Sequence, residues 1–122
     1  EAKRQAEAEA KRQAEAEARR QALIAEEERA RQASQLSAYA AEVTAAIRRA
    51  WRRPPSAPRQ FECRVRVRQS PNGEVISASI VKSCGDSLLD RSVEQAVFRA
   101  SPLPTPRGGL PVPAELDVTF RP

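Results

Sequence analysis

Apolar and polar positions follow a different period in each part of the chain, and each change of period marks an element. Glu1 to Ala8 reads EAKRQAEA, Glu9 to Ala16 repeats it unchanged, and Glu17 to Ala22 nearly continues it as EARRQA. A repeat of eight residues advances a helix by about 80° beyond two turns, so its alanines form no fixed stripe and no heptad seam persists. These residues are nevertheless strong helix formers. Opposite charges recur at helical spacing, as in Glu7 with Lys11, Glu15 with Arg19, Lys3 with Glu7 and Lys11 with Glu15, each pair adding a few tenths of a kcal/mol. The pattern predicts a solvated single helix acting as a spacer, rising about 1.5 Å per residue.

Beyond Ala22 larger apolar residues enter at spacings of three and four: Leu23, Ile24, Leu36, Tyr39, Val43, Ile47 and Trp51. The helix gains an apolar face from about Leu36, with a break expected near Ser34 to Ser37 and an end near Arg53, where Pro54 and Pro55 remove amide donors. Phe61 to Arg68 then alternates strictly, placing Phe61, Cys63, Val65 and Val67 on one face and Glu62, Arg64, Arg66 and Arg68 on the other, which predicts a half-buried strand. Pro71, Asn72 and Gly73 signal a hairpin, and Val75 to Val81 reads as the returning strand. A two-residue Asn72–Gly73 turn sets Val65 opposite Ile80, Val67 opposite Ala78 and Cys63 opposite Lys82. Cys84 then lies on the same face as a diagonal neighbour of Cys63, within disulfide reach given some local twist.

Gly85 and Asp86 end that strand, and Asp86 or Ser87 caps a helix whose buried side carries Leu88, Leu89, Val93, Ala96, Val97 and Ala100. A proline-rich loop from Ser101 to Pro113 follows. Leu116, Val118 and Phe120 alternate with Glu115, Asp117 and Thr119 in a last strand. The fold class is therefore α+β: a long N-terminal helix leads into a small domain whose three-stranded antiparallel sheet, ordered second, first, third, has helices packed on one face and both outer edges open. Residues 1–33 read as the charged stalk and residues 34–122 as the folded domain.

Charge and composition narrow the function. Glu1 to Ala33 carries eight basic and eight acidic residues, so the net +5 of the 122-residue chain lies entirely in the remainder. Dense positive charge fits nucleic acid, an anionic surface or an acidic protein. Nucleic acid is the weakest reading, because no exposed aromatics interleave with Arg64, Arg66 and Arg68 or with Arg48, Arg49, Arg52 and Arg53. The chain contains no histidine, which excludes a catalytic or metal-ligating one, and two thiols alone make a poor zinc site. Asp86 and Asp90 suit a helix N-terminus better than paired acid/base work, and Gly108–Gly109 has no following Lys-Ser or Lys-Thr to make a phosphate loop. The sequence thus points to no catalytic, metal or cofactor site. From count alone, the two cysteines are one disulfide or two buried thiols. The absence of a long apolar run and the start within a repeat suggest a piece of a longer protein, with any membrane anchor upstream.

IRRAWRRPP at Ile47 to Pro55, PNGEV at Pro71 to Val75, SCGD at Ser83 to Asp86, LDRSVEQA at Leu89 to Ala96, SPLPTP at Ser101 to Pro106 and VTFRP at Val118 to Pro122 occur in the order seen in the TolA C-terminal domain family, which the chain resembles from about Ser37 onward. The related TonB C-terminal domain shares the gross order but usually follows a proline-rich spacer, so the charged stalk favours the TolA type. The resemblance implies a non-enzymatic, periplasmic interaction module of the Tol-Pal system. Its partners would be TolB and Pal, with TolQ and TolR reached through an upstream inner-membrane helix, and group A colicins and the filamentous-phage minor coat protein as exploiters. It implies a Cys63–Cys84 disulfide, and no cofactor or nucleic acid. It also places partner binding on a sheet edge, for which the last strand is favoured: Glu115, Leu116, Asp117, Val118, Thr119 and Phe120. There side-chain changes should be mild and a proline, as at Val118, severe.

Overall fold

The computed structural model describes residues 1–122. Its elements are α1 (Ala2–Ala50), β1 (Cys63–Gln69), β2 (Val75–Lys82), α2 (Ser87–Arg99) and β3 (Glu115–Phe120). The chain divides into two compact units, Glu1–Ser34 and Gln35–Pro122.

The first unit is helical and almost wholly exposed. None of the four ion pairs expected from its spacing closes. Instead Arg20 meets Glu17 at 3.3 Å, and the Gln21 amide donates to the same carboxylate at 2.9 Å. Long side chains in water gain too little from such pairing to be held in one geometry.

No break interrupts α1 near Ser34 to Ser37, since serine costs a helix only a few tenths of a kcal/mol when nothing else disrupts the backbone. Leu36 stays 47% exposed, and the apolar face of the second unit begins at Tyr39, continuing through Val43 and Ile47. The helix stops at Ala50, before Arg53. The Trp51 amide bonds the Arg48 carbonyl at 3.3 Å in a tightened last turn, and the indole turns inward to donate to Ser92 Oγ at 3.0 Å.

The sheet order is β2-β1-β3, all antiparallel, as the alternation implied. Val65 pairs with Ile80 and Val67 with Ala78, as expected, but two details differ. The hairpin loop holds three residues, Pro71 to Gly73: Gly73 N donates to Ser70 O and Ser70 N to Glu74 O, both at 2.9 Å. This is a turn closed by a glycine at φ 85°, the left-handed position that follows a type I turn. The extra residue is absorbed by a bulge at Ile76, where Gln69 faces Val75 while Arg68 faces Ser77. A second bulge, at Val81, places Arg64 and not Cys63 opposite Lys82. Bulges sharpen strand twist, and here the result brings the Cα atoms of Cys63 and Cys84 to 4.4 Å, joined as a disulfide.

One face of the sheet carries Cys63, Val65, Val67, Val118 and Phe120 into a core shared with Tyr39, Val43 and Ile47 of α1 and Leu89, Val93, Ala96 and Val97 of α2. Trp51 meets Phe120 edge-on at 5.2 Å and Phe61 at 5.6 Å. Leu88, expected inside, is 58% exposed: it lies about 100° round the helix from Leu89, and the stripe is completed by Ser92 on that side. Asp86 caps α2, its carboxylate accepting from Leu88 N at 2.7 Å. Asp90 turns back to accept from Cys84 N at 2.7 Å and Ser83 Oγ at 2.8 Å, so both carboxylates order the SCGD turn.

Gly73 ties the hairpin to the proline-rich loop. Its carbonyl accepts from Leu103 N at 2.7 Å, and a Cβ there would come within 2.5 Å of the Leu103 carbonyl oxygen. Gly73→Ala combines a left-handed φ with that collision and is expected to cost on the order of 2 kcal/mol. Urea unfolding checks this, and an unchanged midpoint would contradict it.

Candidate partner-strand interface

The sheet's two edges are unlike. Along β2 both bulged residues, Ile76 and Val81, are exposed, at 65% and 44%, and a strand broken twice offers a foreign strand no continuous ladder. β3 pairs with β1 without a slip from Cys63↔Phe120 to Arg68↔Glu115. Its outer edge is straight and open.

The ladder's parity identifies the free backbone groups. Gln69 N donates to Ala114 O at 3.0 Å, continuing the β1–β3 register. In an antiparallel pair the bonded positions alternate. Leu116, Val118 and Phe120 therefore direct their amides and carbonyls toward β1, whereas Glu115, Asp117 and Thr119 direct theirs outward. Only the latter three can bond an added strand. Beyond them the Arg121 carbonyl is already taken, accepting from Arg48 Nε at 3.1 Å, so α1 closes this end of the edge.

Between that edge and α1 lies an open groove of about 390 Å³, lined by Ala40, Ala41, Thr44 and Arg48 on the helix and by Asp117, Val118 and Thr119 on the strand. Alanines leave the room. Thr44 folds its hydroxyl back to Ala40 O at 2.8 Å and presents a methyl group. An added strand would rest its inward side chains on this small-residue shelf. Ala40, Ala41, Thr44 and Arg48 were not singled out as site residues from the sequence; the signal was the alanine-rich side of α1 flanking Tyr39 and Val43.

On the opposite, uncovered face Arg66 bridges Asp117 at 3.0 Å and Glu115 at 3.2 Å. The hydrogen bond from Arg66 holds the Asp117 carboxyl below its ordinary value of 3.8 and raises Arg66. Because the carboxyl's folded pKa is depressed, its contribution is present above the unfolded value and is lost as pH falls through the folded one. Any stability difference between the wild type and Asp117→Asn is expected to vanish in that acid window and to shrink with salt. Carboxyl chemical shifts against pH measure it; a titration at the ordinary value would contradict the bridge.

The second unit thus has a covered core, an uncovered polar face and one edge free of register slips. The match to the family described as TonB C terminal spans residues 36–120, so the chain belongs to the TonB C-terminal family. Among solved structures it is similar to TolAIII bound to a peptide derived from the N-terminus of TolB, with 27% identity and a TM-score of 0.60 over 68% of this chain and 71% of that one. No curated protein matches the chain.

Proposed function

We propose that this chain is the stalk end (residues 1–33) and partner-binding domain (residues 34–122) of a TolA-type envelope protein. In this reading it is a periplasmic, non-catalytic module that captures the N-terminal segment of TolB as a strand on the β3 edge. The observation carrying the reading is the slip-free edge with its three outward positions beside the Ala40–Thr44 shelf, in a domain similar to TolAIII. Pal, TolQ and TolR, colicins and the phage coat protein are further partners on the same reading, with inner-membrane anchoring supplied by residues upstream. Strand addition would grip the partner through several main-chain hydrogen bonds in register at once.

The family also includes TonB-type transducers, so the test is a choice of peptides. Calorimetric titration with the cognate TolB N-terminal peptide should give saturable binding, and short outer-membrane-receptor peptides should give none. The reverse preference would assign the domain to energy transduction toward receptors.

A further inference from the structure

One end of the second unit concentrates its positive charge. Gln35 to Pro122 holds 13 basic and 8 acidic residues. Arg52, Arg53, Arg59, Arg64 and Lys82, all exposed, gather where α1 ends, β1 begins and β2 ends. The linkage is direct: Arg64 faces Lys82 across the sheet, and Arg53 lies 5.6 Å from the Trp51 ring. Trp51 in turn packs on Phe61 and Phe120. Arg48 and Arg121 complete the set, joined by the bond at 3.1 Å. The acidic residues at this end are Glu62, Asp86 and Asp90. Glu62 is paired with Arg121 at 3.1 Å, and the two aspartates are turned onto the SCGD turn and the start of α2. With Arg91, next to Asp90 near the start of α2, eight basic against three acidic residues give +5 here, leaving five against five, or 0, for the rest of the unit.

This end lies opposite the point where the unit's helix begins. Gln35 sits beside Gly108, and Tyr39 accepts from Gln69 at the hairpin end of the sheet. It also contains a depression of about 480 Å³ lined by Arg59, Gln60, Phe61, Glu62, Arg121 and Pro122. Exposed Leu88 and Val81 occur at the same end.

We propose that this basic end docks on an anionic phospholipid bilayer, with headgroup phosphodiesters at Arg52, Arg53, Arg59, Arg64 and Lys82. A bilayer surface suits cations spread over loops and strand ends, because its charged headgroups diffuse to meet them. Nucleic acid fits less well, since Trp51 and Phe61 pack on Phe120 and do not form a stacking platform. Arg52, Arg53, Arg59, Arg64 and Lys82 belong neither to β3 nor to the Ala40–Thr44 shelf, so membrane docking is a function distinct from peptide capture.

The test is co-sedimentation of the 122-residue chain with vesicles of phosphatidylcholine alone or mixed with phosphatidylglycerol. Binding is expected only with the anionic lipid, and should weaken with salt. R52Q/R59Q/K82Q removes three cations that make no hydrogen bond or ion pair in the fold. It should lower partitioning on the order of tenfold to a hundredfold, from up to about fivefold per cation at a bilayer surface, with an unchanged melting temperature. R68Q/R99Q/R107Q removes the same charge elsewhere and should change partitioning less than about twofold, because Arg68 and Arg99 lie toward the hairpin and Arg107 lies beside the start of the unit's helix, where a screened surface field is weak. Equal losses in the two triple variants, equal binding to both vesicle types, or binding to RNA without binding to anionic vesicles would each overturn the proposal.

Discussion

A Thr119→Pro chain is expected to keep its fold and its disulfide and to lose partner-strand affinity on the order of fiftyfold. The amide of Thr119 points away from β1, so the sheet loses no internal bond, and proline is tolerated on an edge strand when its missing N–H faces solvent. A docked strand instead meets an absent donor and leaves its own carbonyl unpaired, which costs about 2 to 3 kcal/mol. The neighbouring Val118→Pro behaves in the opposite sense. Its amide belongs to the Val65–Val118 pair, and its side chain is 3% exposed, so it should lower stability first and binding only as a consequence. The sequence points to proline at Val118 as the test of the edge. The parity of the ladder moves that test to Thr119, whose side chain makes no bridge of the kind Asp117 makes with Arg66. Peptide titration and urea unfolding of both variants decide it: equal stability losses in the two would mean that the outward assignment is wrong.

The second large effect is the loss of the Cys63–Cys84 bridge. The cysteines are 21 residues apart, and in the chain-entropy model a loop of that size contributes about 3 kcal/mol by restricting the unfolded chain. The bond also pins the β2 end beside the Val81 bulge and adjoins the Asp90 contact with Cys84 N at 2.7 Å, which orders the start of α2. Replacing both cysteines by alanine is expected to lower the melting temperature by more than about 10 °C for a domain of this size. Calorimetry with and without reductant measures it. A shift of only a degree or two would mean that the two bulges and the Asp90 turn hold the hairpin end without the covalent link.

Strict alternation at Phe61 to Arg68 and Leu116 to Phe120 carried the sheet's faces, and the Pro-Asn-Gly signal carried the hairpin. These patterns are legible because burial on one face forces a period of two. The bulges at Ile76 and Val81 were not legible. A bulge adds one residue without changing composition, and here the three-residue loop and the Ile76 bulge offset one another, so the Val65 and Val67 pairings match a register read with neither. Leu88 was misplaced because a helix stripe counted from apolar residues alone passes over Ser92, which is buried as the hydrogen-bond partner of Trp51. The favoured edge could be named from topology. What makes it an edge of limited length, Arg48 reaching the Arg121 carbonyl across 73 residues, depends on a contact that no local pattern encodes. The alanines of the shelf carry little signal for the same reason: their role is the space they leave.

The most direct test of the central claim is amide mapping by NMR of the chain titrated with the cognate TolB N-terminal peptide, with hydrogen exchange measured at saturation. Strand capture on β3 predicts shifts concentrated along Glu115 to Phe120 and on Ala40, Ala41 and Thr44, with exchange slowed at the outward amides of Glu115, Asp117 and Thr119. Shifts confined to Val75 to Lys82, or no binding at millimolar peptide, would contradict it.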